Sequence, residues 1–214
     1  MPFMPIEVAE QSYIFPPDPV LSIAEFEQYL SGTIQNPTAK VSFSYNHLHD
    51  LESLWWVAVW MVFYNYFSET MPSDDHLPLE FNEKDVQEHL RQAQILFPSV
   101  LNSAKRLVGF RTLFMQACSG LPSNKLDICR LLDGLRRILI GQYQVIEAGL
   151  PQSVDIKSSD DGIYETFKEN FSFPDFSSDL VLVSIPEIYT KLRKRQRSES
   201  MKDAGVATKT RRKK

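Results

Sequence analysis

The sequence predicts an all-α domain that ends in a disordered basic tail. Apolar residues recur at helical spacing over most of the chain, and the longest apolar stretch is too long for a typical strand. Gly and Pro separate these periodic segments. Hydrophobic residues make up 43% and aromatics 12% of the 214 residues, which suffices for one packed core and excludes a globally disordered chain.

The N-terminal 22 residues carry five prolines, which fix φ and remove backbone donors. We therefore expect an extended, irregular segment there. A short helix is predicted at residues 23–30, and a loop with Asn36-Pro37 follows it.

Residues 49–67 form the most distinctive segment of the chain. Asp50 and Glu52 suit a helix N-terminus, where the helix dipole favours negative charge. No polar face follows for three turns, so the predicted helix should be buried all round. Trp, Val, Phe and Tyr also favour strands, but the segment's length decides for a helix.

Further helices are predicted at residues 82–96, 99–117 and 124–148, with breaks at Pro98 and at 120–122. Asn124 is the expected N-terminal cap of the longest of them, with Asp127 three residues later. We expect its three arginines to lie largely outside its buried stripe: Arg130, Arg136 and Arg137. The acidic, turn-rich stretch after Gly149 contains one predicted helix at 163–170, and a last helix is predicted at 186–197.

Charge divides the chain into a body and a tail. Residues 191–214 hold 11 basic and 2 acidic residues, and the rest holds 12 basic and 25 acidic residues. We place the domain at 1–185 and the basic tail at 186–214, with the chain disordered after Ser198.

No feature of the sequence points to secretion or to a membrane. Cys118 and Cys129 are too few for a disulfide framework, and we expect two reduced thiols. The N-terminus lacks a signal peptide, and the longest apolar run, from Leu54 to Tyr64, has eleven residues where a span needs about 20. The expected location is intracellular.

Two segments resemble the fungal-type protein kinase family. Phe3-Met4-Pro5-Ile6-Glu7-Val8 resembles the family's Phe-Met-Ala-Ile-Glu-Val/Leu, its version of the motif that closes the activation segment. His49-Asp50-Leu51-Glu52-Ser53-Leu54-Trp55-Trp56 resembles the His-Asp-Leu-Glu-Ser segment that opens αF, the long central helix of the kinase C-lobe. Together the matches cover about 14 positions.

The resemblance implies roles for several residues. Asp50 and Ser53 would match the αF aspartate and serine, and Glu7 would pair with a buried arginine further along the chain. The sequence leaves three candidates for that arginine: Arg106, Arg111 and Arg130. The tryptophans of αF are expected to be core residues rather than a ligand platform: Trp55, Trp56 and Trp60.

The resemblance also implies ATP, Mg²⁺ and protein Ser/Thr substrates for the family, but the residues that would bind them are not in this sequence. It contains no G-x-G-x-x-G, no H-R-D-x-x-x-x-N and no D-F-G. We therefore expect a C-lobe without its N-lobe, starting inside the activation segment, with no catalytic residue and no cofactor of its own. Asp50 should then be a buried carboxylate without its usual donors, and αF should expose aromatic surface.

Other catalytic and metal-binding interpretations are weaker. His47, His49 and Asp50 lack the further ligands that a zinc site needs. Cys118 lacks a nearby histidine to activate it as a nucleophile. We expect no metal.

The basic tail resembles a bipartite nuclear-import signal, read by an import receptor, although a plain solvated charge run is the alternative. Its two clusters are Lys191, Arg193, Lys194, Arg195 and Arg197, then Lys209, Arg211, Arg212, Lys213 and Lys214. The tail lacks interleaved aromatics, so it would contact nucleic acid only through phosphates, without reading its sequence. The expected location is nuclear, and otherwise cytoplasmic.

Two functions of different classes follow. The first is the C-lobe of a fungal-type protein kinase, catalytically incompetent as this chain and completed by an N-lobe. The alternative is a non-enzymatic helical adaptor that binds a protein partner and is directed to the nucleus. A helical protein associated with nucleic acid is a weaker third interpretation.

Overall fold

The computed structural model describes residues 3–15, 42–68, 83–97, 103–150, 162–171, 181–194 and 197. The fold is mainly helical, which confirms the predicted class. The helix predicted at 23–30 lies outside the described residues, as does the chain after 197.

Eight helices occur in the described ranges: α1 (Ile6–Glu10), α2 (His47–Tyr64), α3 (Glu83–Leu96), α4 (Ser103–Val108), α5 (Phe114–Cys118), α6 (Leu126–Ile146), α7 (Gly162–Phe171) and α8 (185–194). A π-helical turn, Gly109–Leu113, joins α4 to α5. The 3₁₀ turns Ser123–Lys125 and Glu147–Gly149 flank α6. Strands β1 (Asn65–Ser68) and β2 (Val181–Ser184) pair antiparallel, with Asn65 opposite Ser184.

Helix α2 lies at the centre of the domain, against α6 and α3. It begins at a capping box: the Asn46 side chain accepts from the Leu48 N–H at 2.9 Å, and the His49 ring accepts from the Asn46 N–H at 2.9 Å. The expectation that α2 is buried all round is wrong, because Leu54 is 55% and Trp60 37% exposed.

Several local predictions were wrong. Residues 6–10 form α1 where the prolines predicted irregular chain. The last residues of the predicted 49–67 helix instead form β1, because they pair with β2. Asn124 lies inside the 3₁₀ turn before α6 and is not its cap.

The β-ribbon and α8 close one end of the domain. Ile185 and Ile188 are buried with Val86 of α3 in a small apolar cluster of their own. The proposed domain boundary at 185/186 therefore falls within a packed helix, since α8 begins at 185. The described part of this helix confirms the prediction of a last helix.

The π-helical turn is stabilised by Arg136. Gly109 allows this turn to approach α3, because a Cβ at this position would lie 3.2 Å from Leu96 Cδ2. Arg136 Nη1 donates to the carbonyls of Phe110 at 2.6 Å and Arg111 at 3.0 Å. Arg136 is buried, so the expectation that it lies outside the buried stripe of α6 is wrong.

Arg136 and Arg137 form a matched pair for a stability test, because both bind Asp133. The Arg136 side chain is 8% exposed and the Arg137 side chain 71%. We expect Arg136→Met to lower the free energy of unfolding by about 1.5 kcal/mol, since it removes buried hydrogen bonds to a carboxylate and two carbonyls. Arg137→Met should cost less than about 0.5 kcal/mol. Urea unfolding measures both, and equal losses would contradict this role of Arg136.

Both cysteines are free and buried in the main core. Cys118 is therefore closed to a substrate, which argues against its use as a nucleophile. Within the described ranges, no helix is long and apolar enough to cross a membrane.

Candidate functional site

The two segments that carry the kinase resemblance contact each other. The Ile6 N–H donates to Glu52 Oε1 at 3.0 Å, and His49 Nε2 lies 3.1 Å from Glu7 Oε2. All four residues are buried. Helix α1 is thus held on the first turns of α2, although 46 residues separate Ile6 from Glu52.

Two carboxylates hold the chain that follows α1. Glu7 Oε1 accepts from the Ile14 N–H at 2.8 Å. Glu147, in the 3₁₀ turn after α6, accepts from the Phe15 N–H at 2.8 Å through Oε2. Residues 13–15 are therefore tied to both α1 and the end of α6. We call Glu7, His49, Glu52, Tyr143 and Glu147 the acid cluster.

Glu7 and Glu147 share a proton. Glu147 Oε1 is buried and receives no N–H or O–H bond from the residues that the structure describes. The two carboxyl groups lie within hydrogen-bonding reach, and burial raises the pKa of Glu7 to about 7. Burial, with the bond to Glu7 and the charge of Glu7, raises the pKa of Glu147 to about 9. At neutral pH the Glu147 carboxyl is protonated and donates to Glu7.

The capping box fixes the tautomer of His49. Its Nδ1 accepts the Asn46 N–H, so Nε2 carries the proton and donates to Glu7. Burial lowers the pKa of His49 and outweighs the nearby carboxylates. The ring is therefore neutral, and the bond to Glu7 is a hydrogen bond rather than an ion pair.

Glu52 accepts three buried hydrogen bonds. Besides the Ile6 N–H, Trp56 Nε1 donates at 3.0 Å and the Tyr143 hydroxyl donates at 2.9 Å. Burial raises the pKa of Glu52, and these donors together with the charge of Arg106 act in the opposite direction. One carboxylate thus joins α1, α2 and α6.

Arg106 is a buried guanidinium above an indole ring. Its carbon Cζ lies 4.5 Å above the Trp56 ring, and its Nε, Nη1 and Nη2 have no hydrogen-bond partner within the described ranges. Burial lowers its pKa, and the charge of Glu52 opposes the shift. Cation–π attraction and the charge of Glu52 stabilise Arg106 in the core.

The acid cluster joins α1, α2 and α6 inside the domain. Each carboxylate in it is at most 1% exposed. A shared carboxyl proton suits general acid–base chemistry, but such a group must reach the proton it transfers, and these side chains are closed to solvent.

The resemblance implies a buried carboxylate at Asp50, whereas the structure buries Glu52. Asp50 is exposed and accepts from the Tyr45 hydroxyl at 2.6 Å, so it is not the buried, unpaired carboxylate that we expected. Burial, together with Asp50, raises the pKa of Tyr45 to about 12. Ser53 is half-buried and donates to the His49 carbonyl at 3.0 Å.

The tryptophans divide between core and surface. Trp55 and Trp56 are fully buried, and Trp55 Nε1 donates to the Leu132 carbonyl at 2.7 Å. Trp60 is partly exposed, so its assignment to the core is wrong, and Phe3 contacts its ring edge-on at 5.9 Å.

The expected Glu7–arginine pair is not formed by any of the three candidates. Arg106 lies over Trp56, and Arg130 binds Asp127 at the surface. Arg111 donates to the Ile14 carbonyl at 2.9 Å. His49 binds Glu7 in place of the expected arginine.

Sequence reasoning missed Glu52 and Glu147 as buried groups. Both stand on the apolar stripes of their helices: Glu52 follows Leu48 by four residues, and Glu147 follows Tyr143 by four. A carboxylate at an inward position is the signal that could have found them. Lys125 was also missed; it is buried and donates to the carbonyls of Val62 at 2.5 Å and Asn65 at 2.7 Å, at the end of α2.

The structure describes only part of the predicted import signal. Lys191, Arg193 and Lys194 lie on α8, and Arg197 is also helical. An import receptor reads an extended chain, so the first cluster would have to unwind to bind. Arg195 and the second cluster, residues 209–214, lie outside the described residues.

A cavity of about 560 Å³ opens between α3, the ribbon and residues 120–123. His89 lines it, and burial lowers the pKa of this residue to about 4, so the ring is neutral. Among the described residues, no three His, Cys, Asp or Glu side chains are arranged to bind a metal ion. His47 stacks on Tyr164 with ring centroids 6.1 Å apart.

Comparison of the chain with protein-family models, with curated proteins and with solved structures finds no match. Its function is therefore argued from the two contacting segments and from the surfaces of the helices.

Proposed function

We propose that this chain is the C-lobe portion of a fungal-type protein kinase, catalytically incompetent on its own. The observation that supports the proposal is the contact between the two family-like segments, through Ile6 N–H to Glu52 and Glu7 to His49. The resemblance requires the end of the activation segment to be seated on αF. The two segments were identified separately in the sequence and lie 46 residues apart, so their contact is a second, independent observation.

In this proposal the acid cluster positions the substrate-binding side of the lobe. Glu7 and Glu147 hold residues 13–15, and Glu52 fixes α1 on α2. ATP and Mg²⁺ would be bound by an N-lobe and a catalytic loop, whose motifs these 214 residues do not contain. The reaction of the completed kinase would be phosphoryl transfer to protein Ser or Thr.

The test begins with the reading frame upstream of Met1. We expect it to encode a Gly-rich loop, an H-R-D-type catalytic loop and a D-F-G. The extended protein should phosphorylate casein with ATP and Mg²⁺, and the 214-residue chain should not. An upstream frame without these motifs, or phosphoryl transfer by the 214-residue chain alone, would overturn the proposal.

The alternative is a non-enzymatic adaptor, and the exposed surface of α2 favours it. Leu54 and Trp60 each expose an apolar side chain on the central helix of the domain. An adaptor should be monodisperse alone and unfold cooperatively, whereas an incomplete lobe should be insoluble or molten. Sedimentation and urea unfolding of the purified chain therefore distinguish the two functions.

Nuclear import through the tail is the part of this proposal that concerns location. We expect residues 191–214 fused to a fluorescent protein to accumulate in the nucleus. Replacing the five basic residues of the second cluster by alanine should return the fusion to a uniform distribution. A matched fusion with the first cluster replaced measures whether α8 contributes, and a uniform parent fusion would exclude a signal in the tail.

A further inference from the structure

Helix α6 has a second apolar face, opposite the one that it buries in the core. Its buried side includes Cys129, Leu132, Leu135, Leu139 and Tyr143. On its outer side, Ile138 is 38% and Val145 54% exposed. We call the outer set the seam; its members are Leu131, Gly134, Ile138, Gly141 and Val145 of α6, and Ala148 of the 3₁₀ turn that follows α6.

The seam has the spacing of a coiled coil. Its residues follow one another at intervals of three and four, which is the spacing of the a and d positions in heptads. Large and small residues alternate along it. Nothing lies within 4 Å of a Cβ built on Gly134 or Gly141, so both glycines leave open notches in the surface.

The seam is complementary to itself in one register. In an antiparallel pair of helices, a positions face d positions of the other helix. A two-fold axis between Leu139 and Ile140 then sets every large residue against a small one. The facing pairs are Leu131 with Ala148, Gly134 with Val145, and Ile138 with Gly141, each formed twice by symmetry.

The charges beside the seam agree with this register. On one flank, Arg137 of one copy comes level with Gln144 of the other, so a guanidinium meets an amide instead of a like charge. Both side chains are exposed. The α-helical part of the contact, residues 131–146, would be about 24 Å long.

We propose that the seam binds a second copy of this chain, giving an antiparallel two-fold dimer through α6. The partner is a second copy because, in a single register, each large residue of the seam faces a small residue of the same seam in the other copy. This inference does not depend on the kinase proposal. One helix pair lies at the small end of stable interfaces, so we expect a dissociation constant in the micromolar range.

The test measures mass by sedimentation of the full chain over a range of concentrations, for four proteins. The parent should pass from monomer to dimer. Gly141→Leu fills the Gly141 notch of each copy. We expect it to raise the dissociation constant of the dimer at least about tenfold, because two clashes are created at once. Ile138→Ala should weaken it as well, since two knobs are lost. Both positions face solvent in the monomer, so the fold should be kept.

The double variant Ile138→Ala with Gly141→Leu decides the register. It restores a large residue opposite a small one, so dimerisation should recover to within about threefold of the parent. Cysteine pairing provides the control: Ile138→Cys chains should crosslink with Gly141→Cys chains and not with Val145→Cys chains. A parent that stays monomeric, a dimer indifferent to Gly141→Leu, or crosslinks in another register would overturn the proposal.

Discussion

Replacement of Glu52 by alanine should lower the free energy of unfolding by about 4 kcal/mol. Three buried donors lose their acceptor: the Ile6 N–H, Trp56 Nε1 and the Tyr143 hydroxyl. An unsatisfied buried donor costs about 1–3 kcal/mol, and α1 is undocked from α2 at the same time. Arg106 also loses the nearest opposite charge. Urea unfolding followed by tryptophan fluorescence measures the loss, because Trp56 lies in the network.

Asp50 is the matched control, two residues away on the same helix. It is exposed and binds only the Tyr45 hydroxyl among the described residues, so Asp50→Ala should cost less than about 1 kcal/mol. Glu52→Gln, which keeps the size and one acceptor oxygen, should fall between the two and gives a readout if the alanine variant does not fold. A larger loss for Asp50→Ala than for Glu52→Ala would contradict this role of Glu52.

This pair of residues shows what the sequence could predict. The α2 segment was recognisable because its apolar run is too long for a strand, and the fold class follows from such segments. The site was predicted less well. Asp50 and Glu52 both lie near the N-terminus of α2, and only their angular position on the helix separates a solvent-facing carboxylate from a buried one. Predicting that position requires knowing which neighbours cover each side.

Long-range contacts account for most of the other differences. The β-ribbon joins residues 65–68 to residues 181–184, and no turn residue in the sequence separates these residues from the end of α2. Arg136 is buried because the π-helical turn offers it two carbonyls. Glu7 binds His49 rather than an arginine because the capping box of α2 turns the ring towards α1. No local propensity encodes these partners.

Raising the pH should lower the free energy of unfolding, because the proton shared by Glu7 and Glu147 is lost. Their folded-state pKa values, about 7 and about 9, lie above the ordinary 4.5. Between pH 4.5 and these folded values, the folded chain therefore binds more protons than the unfolded chain. Stability is then complete below pH 4.5 as far as these groups are concerned, and it is lost as the pH rises through the folded values. From pH 6.5 to pH 8 we expect a loss of about 3 kcal/mol, since each group contributes up to about 1.4 kcal/mol per pH unit.

Other buried groups also titrate near this window. His49 has a lowered pKa, so its contribution to stability rises with pH and is complete just above its ordinary 6.5. Burial lowers the pKa of Lys125 to about 8, so its opposite effect on stability begins near the upper end of the window. Burial also raises the pKa of Glu52 and of Tyr143, which face the pair.

Glu147→Gln isolates the shared proton. Its amide can donate to Glu7 permanently while its oxygen still accepts from the Phe15 N–H, so stability should lose most of its slope between pH 6.5 and pH 8. Glu165→Gln, on the exposed side of α7, is the control and should leave the slope of the parent unchanged. A parent whose free energy of unfolding is flat over this range, or a Glu147→Gln variant with the parent's slope, would show that the two carboxyl groups do not share a proton. Because Glu7 and Glu147 hold residues 13–15, the same loss should appear as faster amide exchange at Ile14 and Phe15 before the domain unfolds.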